Sequence, residues 1–304
     1  MSYSNSEDSI SEQIYSSKYR FLYELVQNAD DSLYYDACHA SKLPFLRFTI
    51  TPDTFIVETN EDGFRRANVR AVCATGRSSK KALAVDDHIG EKGFGFKSVF
   101  SVAEEVQVQS GIWSFRFQHR QGDDSLGMVT PLDAHAVILP PDVTTRITLR
   151  LSTSAISDYK SLLNAVASMP ETTIFFLQRL RRIEIHVTDL NAKTSATTFE
   201  KTALGTPATH VQLRRYQRSG DGVTIDDSLY RCFIHHINNM PETEYRKGRK
   251  AARIELAFPV EPVTQQPKFS KLGQHVFAYL PLQRLQQIQV SSSHPRKIYA
   301  DSFH

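Results

Sequence analysis

Cysteine is scarce: Cys38, Cys73 and Cys232 are the only three in 304 residues. An odd, scattered set offers neither a disulfide framework nor metal-ligand spacing, and it suits a reducing compartment. No apolar run approaches the roughly 18 residues needed to cross a bilayer. The opening residues 1–8 are polar and acidic, unlike a secretory leader. Charge of one sign is also lacking, since 36 basic residues against 33 acidic leave only +3. That balance argues against nucleic acid or an acidic membrane as partner, and the local basic clusters (Arg179, Arg181 and Arg182; Arg246 to Lys250) read as solvated loops. Internal repeats, heptads and long low-complexity tracts are missing too. The expectation is an intracellular protein, cytoplasmic or nuclear.

What is present is enough apolar material for a core, 40% against 23% charged residues. From about residue 11 to 37, Leu22, Leu25, Val26, Ala29 and Leu33 recur at helical spacing. Phe45–Ile50 and Thr54–Glu58 read as strands around a Pro52-Asp53 turn. Arg66–Ala74 predicts a short helix, Thr75–Asp87 a mobile loop, and Lys97–Ala103 a second helix. A hairpin about Ser110-Gly111 follows; in its second strand Trp113, Phe115 and Phe117 alternate with Ser114, Arg116 and Gln118, so one face is buried. Arg146–Leu151, a helix at Tyr159–Val166 and a strand at Ile183–Val187 complete the first part. Beyond residue 190 strand-like runs (211–215, 253–258, 276–280) alternate with polar, proline-bearing connections. The division expected is a domain over 1–190 and a β-rich subdomain over 191–304.

Two segments carry candidate chemistry. Glu24, Asn28 and Asp31 are spaced i, i+4, i+7, which places them on one stripe of the first helix. A carboxamide oxygen at Asn28 can ligate Mg²⁺, a hard cation. A carboxylate one turn away, at Glu24, can orient or deprotonate a water in line with a γ-phosphate. A solvated polar helix face is the plain alternative. The second segment is Gly90-Glu91-Lys92-Gly93-Phe94-Gly95-Phe96-Lys97. Its glycines let backbone N–H groups approach phosphate oxygens, and Lys92 or Lys97 can add a full positive charge. Phe96 stands where a Walker loop needs glycine before its lysine, and the glycine spacing is the reverse of a dinucleotide loop. A glycine-rich turn without ligand is the alternative here.

The order of these elements resembles the GHKL superfamily of gyrase, heat-shock chaperone, histidine kinase and mismatch-repair ATPases. Glu24-Leu25-Val26-Gln27-Asn28-Ala29-Asp30-Asp31 is similar to its N-box, and Ile89–Ser98 to the glycine box of the chaperone branch. With Asn60-Glu61-Asp62-Gly63-Phe64, the set looks most like sacsin and the NO VEIN-like proteins. The resemblance covers roughly residues 15–150. It implies an α+β fold: a two-layer α/β sandwich (the Bergerat ATP-binding fold, with a mixed, mostly antiparallel sheet) followed by a smaller β-rich region. It implies ATP and Mg²⁺ as cofactors and a lid over about residues 75–89. Glu24 would be the general base and Asn28 the Mg²⁺ ligand. Gly90, Lys92, Gly93, Phe94, Gly95 and Lys97 would surround the phosphates with Asp31, and Asn60, Asp62 and Gly63 would form the adenine turn. Thr145 would help hold adenine through water. One departure is that Thr59 stands at the aspartate position of the family's adenine turn, so Asn60 would have to accept from the amine.

The function expected is slow, Mg-dependent ATP hydrolysis driving a lid or domain switch, chaperone-like, with unidentified protein clients and a nucleotide-dependent dimer as one output. The alternatives are a non-hydrolysing nucleotide-binding or interaction module and a histidine-kinase-like phosphotransferase, for which no phosphoacceptor helix is seen. His119, His135, His210, His235 and His236 read as ordinary surface or core residues.

Overall fold

The computed structural model describes residues 19–73, 96–119, 130–175, 177–205, 209–220, 222–239, 252–268, 274–278 and 280–285. Helix α1 (Arg20–Asp30) buries Phe21, Leu22, Leu25, Val26 and Ala29. Residue 31 begins a break, and the chain turns into a short helix α2 (Tyr35–His39), so the single helix expected up to residue 37 divides in two. The tertiary contacts explain the break. Tyr34 donates its hydroxyl to the Ala29 carbonyl at 2.8 Å, and Asp62 Oδ1 accepts the Asp36 N–H at 3.0 Å near the start of α2.

Strands β1 (Phe45–Ile50) and β2 (Thr54–Thr59) form an antiparallel pair. Helix α3 (Arg66–Cys73) follows. Lys97–Ser101 is a 3-10 turn rather than the helix expected to residue 103, because Ala103 already belongs to β3 (Ala103–Ser110). The hairpin partner β4 (Trp113–Gln118) pairs with the short β5 (Leu132–Asp133), and β6 (Thr145–Leu151) lies between β2 and β3. Helices α4 (Thr153–Ser157) and α5 (Tyr159–Ala167) lead to β7 (Arg182–Thr188), which pairs with β1 in parallel. Then β8 (Thr194–Leu204), β9 (His210–Ser219), β10 (Gly222–Ile237) and β11 (Ala252–Val260) add antiparallel neighbours outward. A separate hairpin joins β12 (Gln274–Ala278) and β13 (Leu280–Leu285).

The expected two-layer α/β sandwich with a smaller β-rich region beside it is therefore corrected. Among the described residues the order β11-β10-β9-β8-β7-β1-β2-β6-β3-β4-β5 is one mixed eleven-stranded sheet with few helices beside it. The reason is a pairing that no local pattern announced. The β7–β8 hairpin extends the same sheet across residue 190. β8 was not foreseen because it is rich in threonine and only Phe199 along it is fully buried, so period-2 apolar alternation is missing.

The two faces of the sheet differ in chemistry. Leu46, Phe48 and Ile50 of β1, Phe55 and Val57 of β2, and Ile183 and Ile185 of β7 point into one core with α1 and α5. Burying a phenylalanine such as Phe48 contributes about 2–3 kcal/mol. The opposite face carries charge. Glu184, Arg47, Glu58 and Arg146 stand in register on β7, β1, β2 and β6, an alternating row. The segment 131–143 crosses this face. Gln109 donates to the Val137 carbonyl at 2.6 Å and accepts its N–H at 2.9 Å, while Arg47 reaches Asp142 at 2.7 Å.

No helix among the described residues is long and apolar enough to cross a membrane.

Candidate functional site

Helix α1 presents two stripes. The apolar one faces the sheet; Tyr23, Glu24, Gln27, Asn28 and Asp31 lie beside it, half-buried. Glu24 is paired with Arg20 one turn earlier at 3.1 Å, in a contact whose side chains are 77% (Arg20) and 23% (Glu24) exposed. Such a surface pair stabilises by only about 0.3–0.5 kcal/mol, so Glu24 is weakly held. The Asn28 backbone carbonyl accepts the Ser32 hydroxyl at 3.0 Å, and the Asp31 carbonyl accepts from Arg179 at 3.2 Å.

The turn after β2 is fixed from two sides. On one side the Asp62 N–H donates to the Leu33 carbonyl at 2.9 Å, which ties the turn to the segment leaving α1. On the other, the Phe64 N–H donates to Ser110 Oγ at 2.7 Å, and Ser110 Oγ shares a 2.6 Å hydrogen bond with Thr145 Oγ1. Trp113 closes the group by donating its indole N–H to the Phe64 carbonyl at 3.0 Å. Gly63 adopts φ +85°, in the left-handed region that favours glycine. A Cβ there would lie 3.5 Å from Ser110 Oγ and Thr144 Cγ2, ordinary contact, so backbone conformation rather than space requires the glycine.

Thus the structure brings Asp62 and Gly63 to the end of α1, and Gly63 and Thr145 together through Ser110. Asn60 has another partner set. Its Oδ1 accepts the Phe45 N–H at 2.8 Å and its Nδ2 donates to the Leu43 carbonyl at 2.9 Å, so this buried carboxamide holds the entry to β1. Thr59, opposite Thr145 in the β2–β6 register, is 6% exposed, and its hydroxyl has no hydrogen-bond partner among the described residues. An orphaned buried hydroxyl is costly, and a ligand atom is one way to satisfy it.

Gly90, Lys92, Gly93, Phe94 and Gly95, with the lid at about 75–89, lie outside the described residues. The exit of that loop is described. The Lys97–Ser101 turn packs against α1, and Phe96 and Val99 enter the common core. Burial pushes the Lys97 ammonium below its ordinary pKa beside Cys73, whose thiol burial pushes up.

Sequence reasoning passed over the most constrained carboxylate on α1. Asp30 is fully buried; its Oδ1 accepts the N–H groups of Arg179 and Leu180 at 2.8 and 2.9 Å, and its Oδ2 that of Gln178 at 2.8 Å. Helical phase held the signal. Asp30 follows Val26 by four residues, so it falls on the apolar stripe, where a carboxylate needs donors. Tyr34 lies in the same region, and burial, followed by the charges of Glu61 and Asp30, raises its phenol well above the ordinary pKa.

No protein-family model matches this chain. The protein NO VEIN of Arabidopsis thaliana is 37% identical to it over 134 residues. That stretch is 44% of this chain but 4% of the plant protein, so the likeness covers one small part of a far longer molecule. The chain is homologous to NO VEIN over that stretch.

Proposed function

We propose that this chain is a GHKL-type nucleotide module that binds Mg-ATP at the end of the sheet beside α1 and hydrolyses it slowly to drive a conformational switch. The observation that carries this is the double anchoring of the Asp62–Gly63 turn. One set of hydrogen bonds ties it to the segment leaving α1, another to the Ser110–Thr145 pair. Residues far apart in sequence therefore border one region.

The residues present fit the ligand in kind. Thr59 offers an unsatisfied hydroxyl next to Thr145, Asn28 a hard oxygen donor, and Lys97 a cation at the exit of the glycine loop. Bound Mg²⁺ would neutralise phosphate charge as it develops on the leaving group. Glu24 would leave its weak pairing with Arg20 and hold a water by accepting its proton. Asn28 would hold the cation, the glycine loop would bind phosphate oxygens through backbone N–H groups, and lid closure would exclude bulk water.

The Asn60 partners favour a second reading. With its carboxamide engaged at β1, the adenine-side acceptor the resemblance implied already has backbone partners, which suits a module that binds nucleotide loosely or without turnover. One experiment separates the two. Calorimetry with Mg-ATP and a phosphate-release assay are run on the wild type and Glu24→Ala. Binding by both with release only by the wild type establishes Glu24 as the base. Equal release removes it from that role, and binding without release by either supports the second reading.

A further inference from the structure

We infer that Asp30 and Lys201 clamp Phe175 and the 177–181 segment, Asp30 through its N–H groups and Lys201 through its carbonyls, and make it a rigid coupling between α1 and the outer strands β8–β11. As a device for reporting nucleotide at α1, the coupling rests on the function proposed above; as a mechanical connection it does not.

The backbone geometry is unusual in its completeness. Five consecutive N–H groups, from residues 178 to 182, converge on two acceptors: the first three on the Asp30 carboxylate, the last two on the Pro44 carbonyl. The carbonyl side is taken from the other direction. Lys201 donates its ammonium to the Phe175 and Leu177 carbonyls, and its own N–H reaches the Arg181 carbonyl at 2.9 Å. Arg181 binds two further carbonyls, of Gln178 and Leu180, with its guanidinium. A second contact leads outward as well, because the Phe175 ring packs edge-on against Tyr230 of β10 at 5.1 Å.

Apolar packing would have held this segment at lower desolvation cost. What two charges with several directional bonds add is position. Three hydrogen bonds to one carboxylate lengthen together if α1 shifts along its axis, and the ammonium on the segment's carbonyls resists the same displacement. A movement of α1 is thus passed to β8 instead of being absorbed in a soft loop. Lys201 faces Arg181, Asp30, Glu255 and Cys232, so the charges around it are mixed and its two carbonyl bonds set its place.

Amide hydrogen exchange on the ligand-free chain tests the coupling through reciprocity. Asp30→Asn is expected to speed exchange of residues 178–180 and also of β8 around residues 199–203. Lys201→Met is expected to speed exchange in the last turn of α1, each by about tenfold, the scale of one lost charge-assisted hydrogen bond. Lys201→Arg should restore much of the α1 protection, and the double variant should be little worse than the stronger single one. Near-UV circular dichroism of Trp113 checks that each variant folds, and either single variant suffices to read the far element. Effects confined to each residue's own element, or fully additive in the double variant, overturn the coupling. A second arm adds Mg-ATP. Protection gained in α1 should extend to β8 in the wild type and stop at the segment in Lys201→Met; binding that protects α1 alone in the wild type overturns it too. If calorimetry finds no ATP binding, the nucleotide function fails, while ligand-free reciprocity still decides the clamp.

Discussion

Arg47 and Glu58 face each other across the β1–β2 pair, with guanidinium and carboxylate 3.2 Å apart, and both have further partners on their outer sides. Arg47 also binds Glu184 and Asp142, each at 2.7 Å, while Glu58 accepts from Arg146. Burial alone would lower the Arg47 pKa; hydrogen bonds to Glu184 and Asp142 reverse that and raise it above the ordinary arginine value.

Because the row is largely enclosed, removing one member leaves the others with too few partners. Arg47→Met leaves Glu58 with Arg146 alone and Glu184 with Arg182 and His186, at side-chain exposures of 6% and 11%, and takes the guanidinium that both carboxylates share. The expected loss is about 3 kcal/mol in urea unfolding. The change Arg47→Met, Glu58→Leu, Glu184→Leu, Arg146→Met, which also removes the guanidinium that Glu58 pairs, should recover most of it. A loss below about 1 kcal/mol for Arg47→Met would show that water reaches the row.

Gly63→Ala tests the turn by conformation alone, since a methyl group has room there. Holding alanine at φ +85° should destabilise the chain by about 1–2 kcal/mol. Thermal unfolding measures it, and an unchanged midpoint would mean that the turn relaxes without cost.

Thr59→Val should separate stability from binding. Removing a buried, unsatisfied hydroxyl is expected to stabilise the ligand-free fold by about 1 kcal/mol. If the hydroxyl serves nucleotide, the same change weakens Mg-ATP affinity severalfold in calorimetry. Stabilisation with unaltered affinity would detach Thr59 from the site.

Lys201 gives a pH signature. Burial brings its ammonium from the ordinary 10.5 down to about 8. Between those values the unfolded chain binds more protons than the folded one, so stability rises with pH across that window. Compared with Lys201→Met, the wild type should therefore gain stability between pH 8 and 10.5, by at most about 3 kcal/mol. Below pH 8 the difference should be flat. A difference that stays flat across the same window would mean that Lys201 stays charged when folded.

Much of the local structure was legible beforehand. Strand alternation in β1 and β4 follows from Leu46, Phe48 and Ile50 and from Phe115 and Phe117, and the phase of α1 from its apolar stripe. His235 and His236 lie in β10 as adjacent strand residues, which point to opposite faces. Of the candidate site, the convergence expected was that of α1 with the glycine loop, most of which lies outside the described residues; the engagement of Asn60 by β1 was not expected. Its partners are backbone groups 15 and 17 residues away, and no residue pattern records them.

Sequence by itself determined which residues seek burial and where the backbone needs glycine, because both depend on side-chain chemistry within a few positions. Tertiary structure alone decided that β8 to β11 continue the first sheet, and that Asp30 binds amides 148 to 150 residues along the chain. The reason is physical: periodicity reports that a face will be covered, whereas hydrogen-bond partners and strand neighbours are chosen only when distant segments compete for the same edge or the same buried charge.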